Sequence, residues 1–241
     1  MNSKSDSNVP LMDPDLKASI IKRAMQLVFT LIFQGAMLFL SSGLLNWLWA
    51  WVLISMYLVG ISINAAIMLR YSPETVAERA TVGGMRGWDR IIGGTWAIMH
   101  FVLILLVAGL DVRFGWTGPV ALTFHIAGGV VLVLGFALFS WAMVSNTYFA
   151  AVVRIQEDRG HTVCTTGPYR FMRHPGYVGA IIQSLALPLI LGSLWSLIPG
   201  GLAALLIVAR TVLEDRMLHN ELAGYRDYAR QVRYRLMPGI W

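Results

Sequence analysis

The chain has 241 residues, of which 56% are hydrophobic and only 13% charged; soluble domains carry roughly a quarter charged residues, so the composition excludes water as the main solvent and points to a bilayer. The formal net charge of +6 does not indicate nucleic acid, because the basic residues fall in short groups between apolar runs, the pattern of loops beside anionic lipid. The single cysteine, Cys164, excludes an internal disulfide and a thiolate metal cage.

Residues 1–19 are polar, include Pro10 and Pro14, and precede the first apolar stretch at Ile20. They are expected to be a flexible tail without a cleavable signal. A helix that crosses a bilayer needs about 20 mainly apolar residues, and the segments near 24–42, 47–69, 91–110 and 119–145 each meet that requirement. The short turn Ser41 to Asn46 makes the first two antiparallel neighbours. The loop 70–90 carries Ser72-Pro73-Glu74, a helix start, followed by Gly83-Gly84; one short interfacial helix and no chemistry are expected there. Residues 177–209 are too long for one span and break at Leu191-Gly192-Ser193, which predicts a tightly turned helical hairpin.

The expected fold class is all-α: a polytopic membrane helical bundle with four full spans plus a C-terminal helical hairpin. Residues 1–23 form a cytosolic N-terminal tail, 24–145 the membrane spans with the interfacial loop 70–90, and 146–241 a core of loop, hairpin and tail. With the N-terminus in the cytosol, every Lys and Arg except Arg113 lies on the cytosolic side, as the positive-inside rule requires. Both termini are therefore expected in the cytosol. The loop 146–176 and the tail 210–241 flank the hairpin, so they are expected to meet across its mouth in a composite polar site over apolar helices.

The ionisable residues concentrate in those two pieces. The loop holds Gln156, then His-Thr-Val-Cys-Thr-Thr-Gly-Pro-Tyr-Arg over residues 161–170, then Arg173-His174-Pro175-Gly176-Tyr177-Val178-Gly179. Pro175 suits the first turn of a helix, where its missing N–H has no partner to lose, and exposed backbone N–H groups around Gly167-Pro168 and Gly176 can receive a polar ligand. Beyond the hairpin, Arg210 and Glu214 lie four apart on one helix face. A surface ion pair in that order contributes less than about a kilocalorie per mole. Asp215 points to another face and reads as a side chain that only solvates the helix, and Tyr228 reads as a headgroup-level aromatic. Taken alone, Arg173 and His174 read as interfacial anchors and Cys164 as a small filler. His100 and His125 fall inside predicted spans, where neutral histidine is the cheapest ionisable group; both read as hydrogen-bonded packing residues. No Gly-rich nucleotide fingerprint and no metal-ligand spacing occur.

The Arg-His-Pro-x-Tyr-x-Gly string, the hairpin, and Arg-x-x-x-Glu together resemble the isoprenylcysteine carboxyl methyltransferase family, within a wider group that includes phospholipid N-methyltransferases. The resemblance covers roughly residues 146–241. It implies S-adenosyl-L-methionine as methyl donor, held by Gln156, His161, Thr162, Val163, Cys164, Tyr169, His174, Pro175, Gly176, Tyr177 and Glu214. It implies that Arg210 contacts the substrate, and Arg210 and Glu214 are the candidate catalytic pair. The reaction implied is methyl transfer to a carboxylate of a lipophilic or lipid-anchored substrate, with membrane lipids as surroundings and neither nucleic acid nor metal as partner. A carboxylate is ionised at neutral pH and needs only orientation, which a guanidinium supplies bidentately. An amine, as in phospholipid methylation, or a thiol is the alternative acceptor. The tail Tyr225 to Trp241 also resembles the end of NADPH-dependent sterol reductases, against which the Arg173 to Gly179 string counts.

Overall fold

The computed structural model describes residues 14–79 and 83–241; the expected tail over residues 1–13 lies outside them, as do residues 80–82 of the loop 70–90. Every regular element among the described residues is helical. In chain order they are α1 (Pro14–Ser42), α2 (Leu48–Tyr71), α3 (Pro73–Glu78) and α4 (Gly87–Ile98). α4 runs through one π-helical turn, Met99–Leu103, into α5 (Ile104–Phe114). Then follow α6 (Leu122–Ser145), α7 (Pro175–Leu191), α8 (Leu197–Glu221) and α9 (Tyr225–Gln231).

Five of these are long and apolar enough to cross a membrane: α1, α2, the continuous helix Gly87–Phe114, α6 and α8. With α7 they form an integral, multi-pass helical bundle. The four expected spans and the hairpin are all present, and α3 is the short helix expected after Ser72. Two boundaries differ from expectation. α1 begins at Pro14, so residues 14–23 continue the helix outward instead of forming tail; Pro14 suits a first helical position and Asp15 complements the dipole. α8 continues past the apolar stretch to Glu221, carrying Arg210, Glu214 and Asp215 on a rigid extension.

α1 and α2 pack as the neighbours expected, and α1 also lies along α5. Leu38, Leu53, Ile104, Leu105, Leu132, Leu187 and Ile190 make the common core of α1, α2, α5, α6 and α7. The tightest pairing is α6 on α7. A Cβ at Gly128 would stand 2.6 Å from the Ile190 nitrogen, and one at Gly179 would stand 3.0 Å from the Gly135 carbonyl oxygen. Backbone therefore lies against backbone, as small residues permit between membrane helices. The hairpin turns on Gly192 at φ +70°, with the Ser193 N–H donating to Pro188 O at 3.0 Å.

Both intramembrane histidines pack as expected. His100 Nδ1 lies 2.9 Å from Ser184 Oγ, and its Nε2 lies 3.4 Å from the Tyr57 hydroxyl. His125 Nδ1 lies 2.7 Å from Ile190 O, its ring stacked 3.9 Å from Trp49.

Candidate active site

The loop between α6 and α7 is tied down by its own polar groups. Gln156, 1% exposed, donates from Nε2 to Tyr148 O at 2.7 Å and accepts from Arg159 Nη1 at 2.5 Å. Its backbone N–H donates to His161 Nδ1 at 3.3 Å, across a turn made possible by Gly160 at φ +62°. That acceptor role leaves His161 Nε2 as the N–H edge. Burial, reinforced by Arg159 and Arg154, lowers the His161 pKa from 6.5 to about 4. Cys164 Sγ donates to Ser145 O at 3.1 Å, pinning the segment back to the end of α6. A single 3₁₀ turn, Gly167–Arg170, then leads into Arg173 and His174, with Pro175 opening α7.

The C-terminal segment closes over this motif. The N–H groups of Arg173 and His174 donate to Tyr234 O and Arg235 O, each at 2.9 Å. Beneath them sits Asp215, 1% exposed. Its carboxylate accepts from Arg235 Nε at 2.8 Å and from the Tyr225 hydroxyl at 2.9 Å. Arg173 Nη1 lies 3.2 Å away and His174 Nε2 3.4 Å. Asp215 is thus the buried hub of the motif and not the solvating side chain expected; the hairpin's return brings it under residues 173 and 174, a pairing invisible to helical spacing. Arg173 and His174 are correspondingly buried rather than interfacial anchors. Tyr228 also departs from expectation: it is buried, donates to Tyr169 O at 2.8 Å, and burial pushes its pKa up, as it does that of Tyr169.

Arg210 is 8% exposed and does not pair with Glu214. Its partner is Asp89, 2% exposed, at the start of α4. Nε donates to Oδ1 at 2.7 Å and Nη2 to Oδ2 at 3.1 Å, while Nη2 also reaches Ala151 O at 3.1 Å. The loop 70–90 therefore contributes to the site after all, because α4 packs against α8. The Arg210 guanidinium lies 5.3 Å over the Tyr177 ring, and the Tyr177 hydroxyl donates to Glu214 Oε2.

These groups surround one open cavity, with about 810 Å³ of empty space when the solvent at its mouth is included. Gln156, His161, Thr162, Val163, Cys164, Tyr169, His174, Gly176, Tyr177, Arg210 and Glu214 all line it; of the site residues singled out in the sequence, Pro175 does not. Arg173, Tyr225, Tyr228, Met217 and Leu218 also contribute to the wall. The buried Arg173 Nε has no hydrogen-bond partner among the described residues. The wall thus presents an incompletely satisfied guanidinium, a carboxylate, neutral aromatic rings and an apolar strip in one enclosure.

An apolar multi-helix bundle with a composite cavity at the loop end of its hairpin defines an integral membrane protein that handles a small molecule beside the lipid. Residues 128–220 match the model of the isoprenylcysteine carboxyl methyltransferase (ICMT) family. Protein-S-isoprenylcysteine O-methyltransferase of Dictyostelium discoideum is 23% identical over 219 residues, 88% of this chain and 81% of that relative. Probable protein-S-isoprenylcysteine O-methyltransferase of Oryza sativa subsp. japonica is 28% identical over 108 residues, 44% of this chain and 56% of the relative. Cobalt-zinc-cadmium resistance protein CzcN of Cupriavidus metallidurans is 31% identical over 149 residues, 57% and 60% of the two chains. Over residues 128–220 the chain is therefore similar to the isoprenylcysteine carboxyl methyltransferase family, and its long apolar helices make it an integral membrane protein.

Proposed function

We propose that the protein transfers a methyl group from S-adenosylmethionine to a carboxylate of a lipophilic, isoprenylcysteine-like acceptor. The observation that carries this reading is the placement of Arg210 and Glu214, one helical turn apart, on the same cavity as the loop 146–176. The cavity's chemistry fits the donor. Glu214 matches an ammonium, the incompletely satisfied guanidinium of Arg173 matches a carboxylate, and Val163, Met217, Leu218 and Leu222 offer an apolar strip to a flat base. Bound there, S-adenosylmethionine supplies an electrophilic methyl on a sulfonium, and the products are a methyl ester and a neutral thioether.

The chain's own work is positioning. Arg210, held by Asp89, keeps a fixed positive charge at the cavity wall, which attracts a carboxylate and repels an ammonium acceptor. Because a carboxylate is already ionised, no side chain has to remove a proton. The apolar faces of α4 and α8 border Arg210 and suit a lipid tail, so binding energy far from the reacting oxygen can fix its approach. The charge asymmetry supports a cavity that faces the cytosol, with both termini on that side.

The test incubates purified protein in lipid nanodiscs with methyl-labelled donor and either a prenylcysteine or phospholipids. Alkali-labile label on the prenylcysteine is the expected result. Label confined to a lipid amine would replace the carboxylate reading. Binding of NADPH but not S-adenosylhomocysteine would remove methyl transfer altogether.

A further inference from the structure

Asp89 stands outside the stretch matched by the family model, yet it contacts both halves of the site. Its two oxygens take Arg210 Nε at 2.7 Å and Nη2 at 3.1 Å. Oδ2 also accepts the backbone N–H of Val153 at 2.7 Å, and Val153 lines the cavity within the loop 146–176. The bidentate edge of Arg210 is therefore already used inside the protein, and the remaining nitrogen, Nη1, is the guanidinium edge these bonds leave for a ligand. The aromatic face of Tyr177 lies 5.3 Å from its Cζ.

A long, flexible arginine pointing into a cavity would lose rotamer freedom on binding an anion. Here that freedom is removed in advance, because the planar fork is locked by a carboxylate buried on α4. Stability alone explains the pair poorly, since a buried ion pair is often no more stabilising than apolar residues of the same volume.

We infer that Asp89 is a positioning residue for the methyl acceptor: it sets the guanidinium of Arg210 so that one nitrogen edge faces the cavity, and it ties that arginine to the cavity-lining loop 146–176. This role rests on the carboxylate reading of the site. It also changes what Arg210 can do, because the acceptor is held by one nitrogen edge and not by the full fork expected from sequence.

The test compares Asp89→Asn with wild type in nanodiscs, reading kcat and KM for a prenylcysteine carboxylate, S-adenosylhomocysteine affinity and the count of active sites. Asparagine keeps the size of the side chain but turns a donor group toward a guanidinium. The expected result is an acceptor kcat/KM reduced about 10- to 100-fold per active site, with S-adenosylhomocysteine Kd within about threefold of wild type. In an Arg210→Lys background, where there is no fork to hold, Asp89→Asn should cost less than about threefold more. Asp89→Glu, which keeps the charge but moves it outward, gives the same split if the asparagine variant does not fold. A loss confined to the number of active sites, with kcat and KM per site unchanged, would make Asp89 a packing residue and overturn the inference. A wild type that methylates no carboxylate overturns the reading of the site and the role of Asp89 together; one that does, with an equally fast Asp89→Asn enzyme, overturns only the latter.

Discussion

Replacing Asp215 by asparagine removes the charge on which the Arg173-His174 motif rests. In the folded protein the Asp215 carboxylate meets Arg173 at 3.2 Å and Arg235 at 2.8 Å. Without that charge Arg173, 8% exposed, keeps a bond to Arg233 O at 3.4 Å and an Nε with no partner among the described residues. Leaving one member of a buried ion pair uncompensated costs roughly 3–5 kcal/mol. The Arg235 side chain is about a third exposed and adds less than about 1 kcal/mol, so the lower end, about 3 kcal/mol, is expected. For a chain of this size each kcal/mol moves Tm by about 2–4 °C, which gives a fall of about 6–12 °C. Thermal unfolding in detergent, followed by tryptophan fluorescence, reads it directly. The double replacement Asp215→Leu with Arg173→Met should fall less than Asp215→Asn alone, because only the part-exposed Arg235 loses its partner and no fully buried charge is stranded. A Tm for Asp215→Asn within about 2 °C of wild type would refute the hub described for this carboxylate.

Arg210→Lys puts a point charge where Asp89 meets a planar fork, and methyl transfer should drop on the order of a hundredfold while S-adenosylhomocysteine affinity stays within about threefold; initial rates with labelled donor and a titration of the product check this. Glu214→Gln should weaken S-adenosylhomocysteine about tenfold, because a charge-assisted bond to the ammonium becomes a neutral one, as calorimetry would measure. His161 has a folded pKa of about 4 against 6.5 ordinarily, so its neutral form is the one the fold prefers. Protonation favours the open or unfolded chain, and stability and donor affinity should both decline as pH falls from about 6.5 toward 4. His161→Asn should flatten that part of the pH profile in a binding titration.

The bundle was legible in the sequence because lipid imposes long apolar runs, and the hairpin because Gly192 interrupts one that is too long. The loop end of the site was legible through Arg173 to Gly179, a string compact enough to be read from residue order alone. What sequence order hides is which charges meet in space. Asp89 sits in a loop without apparent chemistry, 121 positions from Arg210, and only the packing of α4 on α8 joins them. Asp215 is hidden for the same reason: helical spacing places it off the Arg210–Glu214 face, but its partners lie on the loop and the C-terminal segment. Tyr228 resembles an interfacial aromatic until α9 folds back and buries it against residue 169.

The glycine contact between α6 and α7 has a consequence for how such a protein can diversify. Gly135 and Gly179 set two helix backbones against each other, so no rotamer change can shift the ends of the loop that springs from Ser145 and lands on Pro175. That loop is an arch on fixed abutments. Its backbone is also bonded to Asp89 through the Val153 N–H and to Arg210 through the Ala151 carbonyl, so a change within the arch reaches that pair on α4 and α8. Refitting one wall of the cavity therefore refits the other, and such a site can change only by concerted substitution.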